Sequence, residues 1–200
     1  MGEIFIKRLT GEDIPRYLPE VARLRIEVFR EYPYLYDGDL EYEKNYLRTY
    51  ASSAGSIIIA AIEADAGKVV GVSTGLPMTD ADAAVQQTFV AKGHNLRDWF
   101  YHGESVLLPA YRGRGIGIQF FREREAHALG LNCLYAAFCG VVRPADHPRK
   151  PPNYAPLSDF WRKRGYRPMP GGQCFFHWKE LGEPCEKEFS MAFWYKDLRL

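Results

Sequence analysis

Two hydrophobic periods alternate along the chain, and the switches between them mark out its elements. Ile4-Phe5-Ile6 is an apolar block of strand length. From Leu9 to Arg30 the apolar positions Leu18, Val21, Leu24, Ile26, Val28 and Phe29 recur at helical spacing. Pro33 and Gly38 break that period between Tyr32 and Asp39, and a second helix is predicted from Leu40 to Tyr50, with Leu40, Tyr46 and Leu47 on one side. Ser56 to Glu63 is rich in β-branched residues and reads as a strand; Asp65-Ala-Gly67 turns the chain, and Lys68 to Thr74 returns as the second strand of a hairpin. Residues 80–97 carry a weak helical pattern, and Trp99 to Leu108 is a further strand.

The second half is more sharply punctuated. Gly115 to Leu129 has a strong helical pattern, and Leu134 to Val142 is apolar throughout, as a buried strand would be. Prolines 144, 148, 151, 152 and 156 forbid regular structure from Arg143 to Pro156. Leu157 to Arg164 predicts a short helix stopped by Gly165 in a left-handed cap. Gln173 to Lys179 and Phe189 to Tyr195 read as a closing antiparallel pair. Interleaved strands and helices in this order predict an α/β (α+β mixed sheet) fold with helices on the faces of the sheet.

Composition narrows the function classes. With 200 residues, 46% of them apolar, the chain can bury one sizeable core, and one domain spanning 1–200 is expected. A net charge of +1 lacks the basic excess of a nucleic-acid binder. The opening MGEIFIKRLT is too short and too charged for a signal peptide, and no apolar run approaches the ~20 residues of a membrane span. A cytoplasmic protein with no membrane partner is therefore expected. Cysteines 133, 139, 174 and 185 form no C-x-x-C and no zinc spacing, so free thiols and no metal are predicted. Cys133 and Cys139 are placed on one face of the same strand, with a buried structural role.

The segment that carries chemistry runs from Glu104 to Phe121, where a strand enters a glycine-rich turn and a helix begins at once. Glycines 113, 115 and 117 permit a sharp turn and leave the backbone N–H groups unobstructed. At a helix N-terminus those donors, with the helix dipole, favour an anion, and Arg112 and Arg114 add positive charge. A phosphate-binding Walker loop needs Gly-Lys-Ser/Thr, which is absent. A dinucleotide fingerprint counted from Gly113 needs glycine where Ile118 stands. The pattern that fits is [Q/R]-x-x-G-x-[G/A], as Arg112-Gly113-Arg114-Gly115-Ile116-Gly117.

In that loop, in the strand before it and in Phe160-Trp-Arg-Lys-Arg-Gly-Tyr166, the chain resembles the GNAT superfamily of acyl-CoA-dependent N-acetyltransferases, from Ile4 to about Tyr195. The resemblance implies a twisted mixed sheet that splays between its fourth and fifth long strands. It implies acetyl-CoA (coenzyme A) as acyl donor, with the pantetheine arm against the backbone of Val106, Leu107 and Leu108. The pyrophosphate would lie on the amides of Arg112, Gly113, Arg114, Gly115, Ile116 and Gly117. Acyl transfer would go directly from the thioester to an amine.

Such a transfer needs a proton acceptor for the amine and benefits from a proton donor for the leaving thiolate. Glu104 is the candidate base; on a regular strand it shares a face with Val106 and Leu108, where apolar neighbours would raise its pKa. The family's usual tyrosine acid aligns with Trp161, whose indole N–H is too weak an acid, so Tyr154 becomes the candidate replacement, with Asn153 beside it. His147 and Asp146 are further candidates on the proline-rich stretch. Tyrosines 32, 34, 36, 42 and 46, interleaved with acids at 31, 37, 39, 41 and 43, suit a cationic acceptor, while Arg143 to Arg167 carries +5 and suits an acidic one. A small-molecule or amino-terminal amine is the expected acceptor, and the aromatic C-terminal strands either close the core or cover a partner subunit in a homodimer. The Trp161 departure keeps a second reading open: a coenzyme A-binding regulatory or interaction module without turnover.

Overall fold

The computed structural model describes residues 2–200. One sheet of seven strands runs through it: β1 (Ile4–Leu9), β2 (Ile57–Glu63), β3 (Val69–Pro77), β4 (Trp99–Leu107), β5 (Tyr135–Val141), β6 (Arg167–Lys179) and β7 (Glu186–Asp197), in spatial order β1-β2-β3-β4-β5-β7-β6. All neighbours are antiparallel except β4 and β5. The helices are α1 (Ile14–Phe29), α2 (Leu40–Ser52), α3 (Ala83–Val90), α4 (Ile116–Gly130) and α5 (Ser158–Arg162).

Local chemistry explains most of these boundaries. Asp39 caps α2 by accepting hydrogen bonds from the amides of Glu41 and Tyr42 at 2.9 and 3.0 Å. Helix α3 is shorter than the weak pattern over 80–97 suggests, because Gly93 takes a left-handed conformation (φ 75°) and Asn95 caps a new turn by accepting from Arg97 N–H. Gly165, at φ 86°, ends the turn after α5 as expected. Strands β6 and β7 extend beyond their predicted limits, with a register break between Pro168 and Gln173 where Pro170 and two glycines intervene.

Helices α1 and α2 pack together, with α1 against β3 and β4; α4 packs against β2, β3 and β4 on the opposite side. Covered on both faces, β2 and most of β3 are buried, which is why their sequences run apolar without alternation. Cys133 lies before β5 rather than on it, because the turn after α4, with Asn132 at φ 61°, delays the strand to Tyr135. Cys133, Cys139 and Cys174 are buried, whereas Cys185 is exposed.

Two irregularities surround β4. Its parallel pairing with β5 covers only Trp99↔Tyr135, Phe100↔Ala136 and Tyr101↔Ala137; from His102 onward the two strands part. On its other edge, Ser73 pairs with Ser105 but Gly75 pairs with His102, so β4 holds one residue more than β3 across Thr74. This is a β-bulge, and it places two consecutive residues on one face. A Cβ on Gly103 would strike the Tyr50 hydroxyl of α2, and Glu104 also points toward α1 and α2. His102 and Ser105 face α4.

His102 is 1% exposed, and neither ring nitrogen has a hydrogen-bond partner. Burial, reinforced by the Arg124 and Lys196 charges, holds its pKa well below the usual histidine value, so the native imidazole is neutral. Between that lowered value and about 6.5, the unfolded chain binds a proton that the native chain rejects. Stability is therefore complete above about pH 6.5 and falls with acidification, by up to about 1.4 kcal/mol per pH unit for this one group. His102→Phe is expected to flatten this dependence in urea unfolding compared at about pH 7.5 and about pH 5.5, leaving the smaller slope from His127, whose pKa burial also lowers.

Candidate active site

Where β4 and β5 part, the edge of β4 from His102 to Leu107 has no strand partner on the β5 side. Val106 and Leu107 pair with Val72 and Gly71 of β3 on their other edge, and Leu108 N–H donates to Val70 O at 3.0 Å. This unpartnered edge leads through a short turn at Pro109–Tyr111 into Arg112–Gly117. Gly113 and Gly115 adopt φ 77° and 79°, and the space where their Cβ atoms would stand is open. Gly115 caps α4 with no side-chain acceptor, so no capping side chain occupies the first amides of the helix. The two arginines are turned elsewhere. Arg112 donates to Leu107 O (3.1 Å) and to Glu31 (2.9 Å), and Arg114 donates to Gly2 O (3.0 Å).

Glu104 lies at the centre of a buried polar network. Arg25 of α1 donates to Glu104 Oε2 at 2.7 Å and, through Nε, to Glu43 of α2. Tyr46 donates to the same Glu104 oxygen at 3.0 Å, and Tyr36 donates to Glu43 Oε1 at 2.9 Å. Arg25, Glu43 and Glu104 are each 9% exposed or less. The expectation of apolar neighbours around Glu104 is thus corrected: the bulge turns its side chain onto a guanidinium and a phenol. Burial opposes the Arg25 charge, but Glu104 and Glu43 outweigh it and raise its pKa well above the usual value. Burial and Glu104 likewise raise the Tyr46 pKa, so both partners stay protonated. Two carboxylates against one guanidinium leave a formal charge of −1, and Glu104 Oε1 is buried without a hydrogen-bond partner.

The remaining candidates fall into two places. Tyr154, partly buried, packs edge-on against Tyr32 with ring centres 4.7 Å apart, and His147 lies 5.5 Å from the same ring. Burial, with a smaller contribution from Tyr32, raises the Tyr154 pKa. The proline-rich stretch is tied to the α1–α2 connection by Arg143, which donates to Pro33 O (2.7 Å), Tyr34 O (3.0 Å) and Glu180, while Arg149 donates to Glu180 at 3.1 Å. Part of the basic stretch is thereby neutralised internally. Asp146 is exposed. Trp161 lies on the α4 side of β5, packed edge-to-face with Phe138 and Trp194 and covering Gly140, where a Cβ would meet its ring at 3.0 Å. The structure therefore gathers Glu104 with Arg25, Glu43 and Tyr46, and places Tyr154 with Tyr32 and His147.

Sequence reasoning missed Arg25 and Arg124, and placed Glu43 only among the acids suited to a cationic acceptor. Each left a signal: Arg25 stands four residues after Val21, Glu43 four before Leu47, and Arg124 four after Phe120, all within stripes that face the core. A charge on the apolar face of a helix must find a buried partner.

A mixed sheet split beside an uncapped, glycine-rich helix start defines a class: the fold is that of the GNAT acetyltransferases. An acetyltransferase of the GNAT family from Staphylococcus aureus Mu50 matches with a TM-score of 0.59 and 13% identity, over 98% of this chain and 99% of its own. A candidate acetyltransferase from Salmonella typhimurium, solved with its cofactor acetyl-CoA, gives 0.61 and 12% over 98% and 94%. NAA60 from Arabidopsis thaliana, in complex with a bisubstrate analogue, gives 0.60 and 12% over 96% and 99%. At such identities the likeness is one of fold. No family model and no curated protein sequence matches the chain. Among the described residues, no helix is long and apolar enough to cross a membrane.

Removing Arg25 leaves two buried carboxylates without their cation. Arg25→Met is expected to cost about 3–5 kcal/mol in urea unfolding at neutral pH. A neutral result would exclude this network as the anchor of Glu104.

Proposed function

We propose that this protein is an acyl-CoA-dependent N-acyltransferase of the GNAT type, a single domain that transfers an acetyl group from acetyl-CoA directly to a primary amine. One observation carries the reading: the β4 edge that loses its β5 partner at His102 runs straight into the open, glycine-lined start of α4. An extended arm with a pyrophosphate at one end fits that shape. The backbone of Val106, Leu107 and Leu108 would hold the pantetheine, and the amides of Arg112 to Gly117 the pyrophosphate. Arg112 would exchange its exposed pair with Glu31, a contact worth less than about 1 kcal/mol, for a phosphate oxygen.

In the reaction, the amine nitrogen forms a bond to the thioester carbon, and the carbon–sulfur bond breaks to release the thiolate of coenzyme A. Alignment of the two reactants supplies most of the acceleration, about 7–11 kcal/mol in well-oriented systems. The ammonium form of the acceptor is attracted by the buried charge of −1, and Glu104 Oε1, with no other partner, accepts the proton it must lose. Tyr154 is the proton donor for the thiolate, with His147 within the same aromatic group. A small-molecule or amino-terminal amine fits this site. The second reading, a coenzyme A-binding module without turnover, draws on Trp161, which offers no acidic proton and is packed against Gly140.

Calorimetric titration with acetyl-CoA tests the donor. Micromolar binding is expected in the wild type and none in Gly115→Glu, whose side chain would fill the phosphate space and whose left-handed backbone disfavours any side chain. Unchanged affinity in Gly115→Glu would sink the loop assignment. Acetyl-CoA consumption with a panel of 1,4-diaminobutane, a free-amino-terminus peptide and benzylamine separates the enzyme from the silent module. Glu104→Gln should bind acetyl-CoA as the wild type does but lose at least about tenfold in kcat, along with the acidic limb of the pH–rate profile. An intact acidic limb in that variant would assign the base elsewhere.

A further inference from the structure

Arg124 is the largest of the fully buried side chains, at 1% exposure. It stands on α4, one turn beyond Phe120, and its acceptors are all neutral. Nε donates to Phe120 O at 3.2 Å, Nη1 to Thr74 O at 3.1 Å and to Glu104 O at 3.2 Å, and Nη2 to Ser105 Oγ at 2.8 Å. Burial pushes its pKa down to about 10, partly offset by the more distant Tyr166 and Glu104. Keeping a guanidinium here is costly, since a hydrophobic side chain of similar volume would pack α4 against the sheet without desolvating a charge.

The acceptors explain its presence. Thr74, Glu104 and Ser105 are the residues at the register break between β3 and β4. Thr74 holds the same break from its other side, through Oγ1, which accepts from Glu104 N–H at 3.2 Å. The bulge decides which face Glu104 addresses: without the extra residue, alternation would send residue 104 to the side of Phe100 and His102, toward α4. Helix α4 is also the helix into which the Arg112–Gly117 cradle leads.

We propose that Arg124 is a positioning residue: its fork locks the β4 bulge from beneath, aims Glu104 at the acceptor side, and fixes the distance between the phosphate cradle and the base. This rests on the reading of Glu104 as proton acceptor given above. The side chain touches no reactant and acts entirely through the backbone of Glu104 and the hydroxyl of Ser105.

Arg124→Lys keeps the charge but loses the fork, and Ser105→Ala removes one contact at a half-open position where folding is not at risk. For both, acetyl-CoA affinity is measured by calorimetry, kcat and KM with the fastest amine of the panel as a function of pH, and amide exchange at Glu104 and Ser105 by NMR. The expected result is acetyl-CoA affinity within about twofold of wild type, kcat lowered about tenfold or more in Arg124→Lys and less in Ser105→Ala, and a displaced acidic limb of the pH profile. Amide exchange at Glu104 and Ser105 should accelerate more than in the rest of β3 and β4. Wild-type kcat in both variants, or a kcat that falls only in step with acetyl-CoA affinity and melting temperature, would overturn the proposal. Should wild-type protein neither bind acetyl-CoA nor acetylate any amine, the functional reading fails on its own, and the exchange rates alone decide whether Arg124 locks the bulge.

Discussion

The ion pair between Arg25 and Glu104 is the constraint around which the rest of the molecule is arranged. A guanidinium and a carboxylate taken out of water are stable only if both are fully engaged. Satisfying them takes Glu43 from α2, Tyr46 one turn later on that helix, and Tyr36 from the α1–α2 connection. The pair therefore dictates how α1 and α2 sit against β4, as well as the direction in which Glu104 points. One carboxylate oxygen is left over. Like the two ring nitrogens of His102, it is a buried polar atom without a hydrogen-bond partner.

Charge enters the β4 neighbourhood from three helices, and each contribution addresses the same short stretch of strand. Arg25 and Glu43 reach the side chain of Glu104 or its partner from one face; Arg124 reaches the main chain of Glu104 from the other. Between them the strand carries its bulge, and just before it the ladder to β5 ends at Tyr101. The backbone groups freed by that ending and the buried carboxylate redirected by that bulge are separate products of one distorted strand.

The parts of this arrangement that were legible in the sequence are those with local causes. Gly113, Gly115 and Gly117 announce the loop because their spacing and the following helix pattern are adjacent in the chain. The β2–β3 hairpin follows from Asp65-Ala-Gly67 in the same way. The surroundings of Glu104 are not legible in this way, because its partner stands 79 residues away, inside the apolar stripe of another element. The bulge was invisible for a different reason: register is a property of two strands, and nothing in the β4 sequence alone says that Thr74 faces two residues rather than one. The placing of Cys133 before β5 is hidden too, because an apolar run does not show where pairing begins.

The distribution of thiols has a practical corollary. Three cysteines are sealed in the interior and Cys185 alone among them is exposed, in the turn between β6 and β7. It lines a shallow cavity with Tyr36 and Trp178, and Tyr36 also holds Glu43. A thiol-reactive fluorophore would thus attach to the native protein at one position without mutagenesis. There it would sit beside an indole that quenches by contact and a phenol wired to the buried acid pair, turning rearrangements around Glu104 into an optical signal.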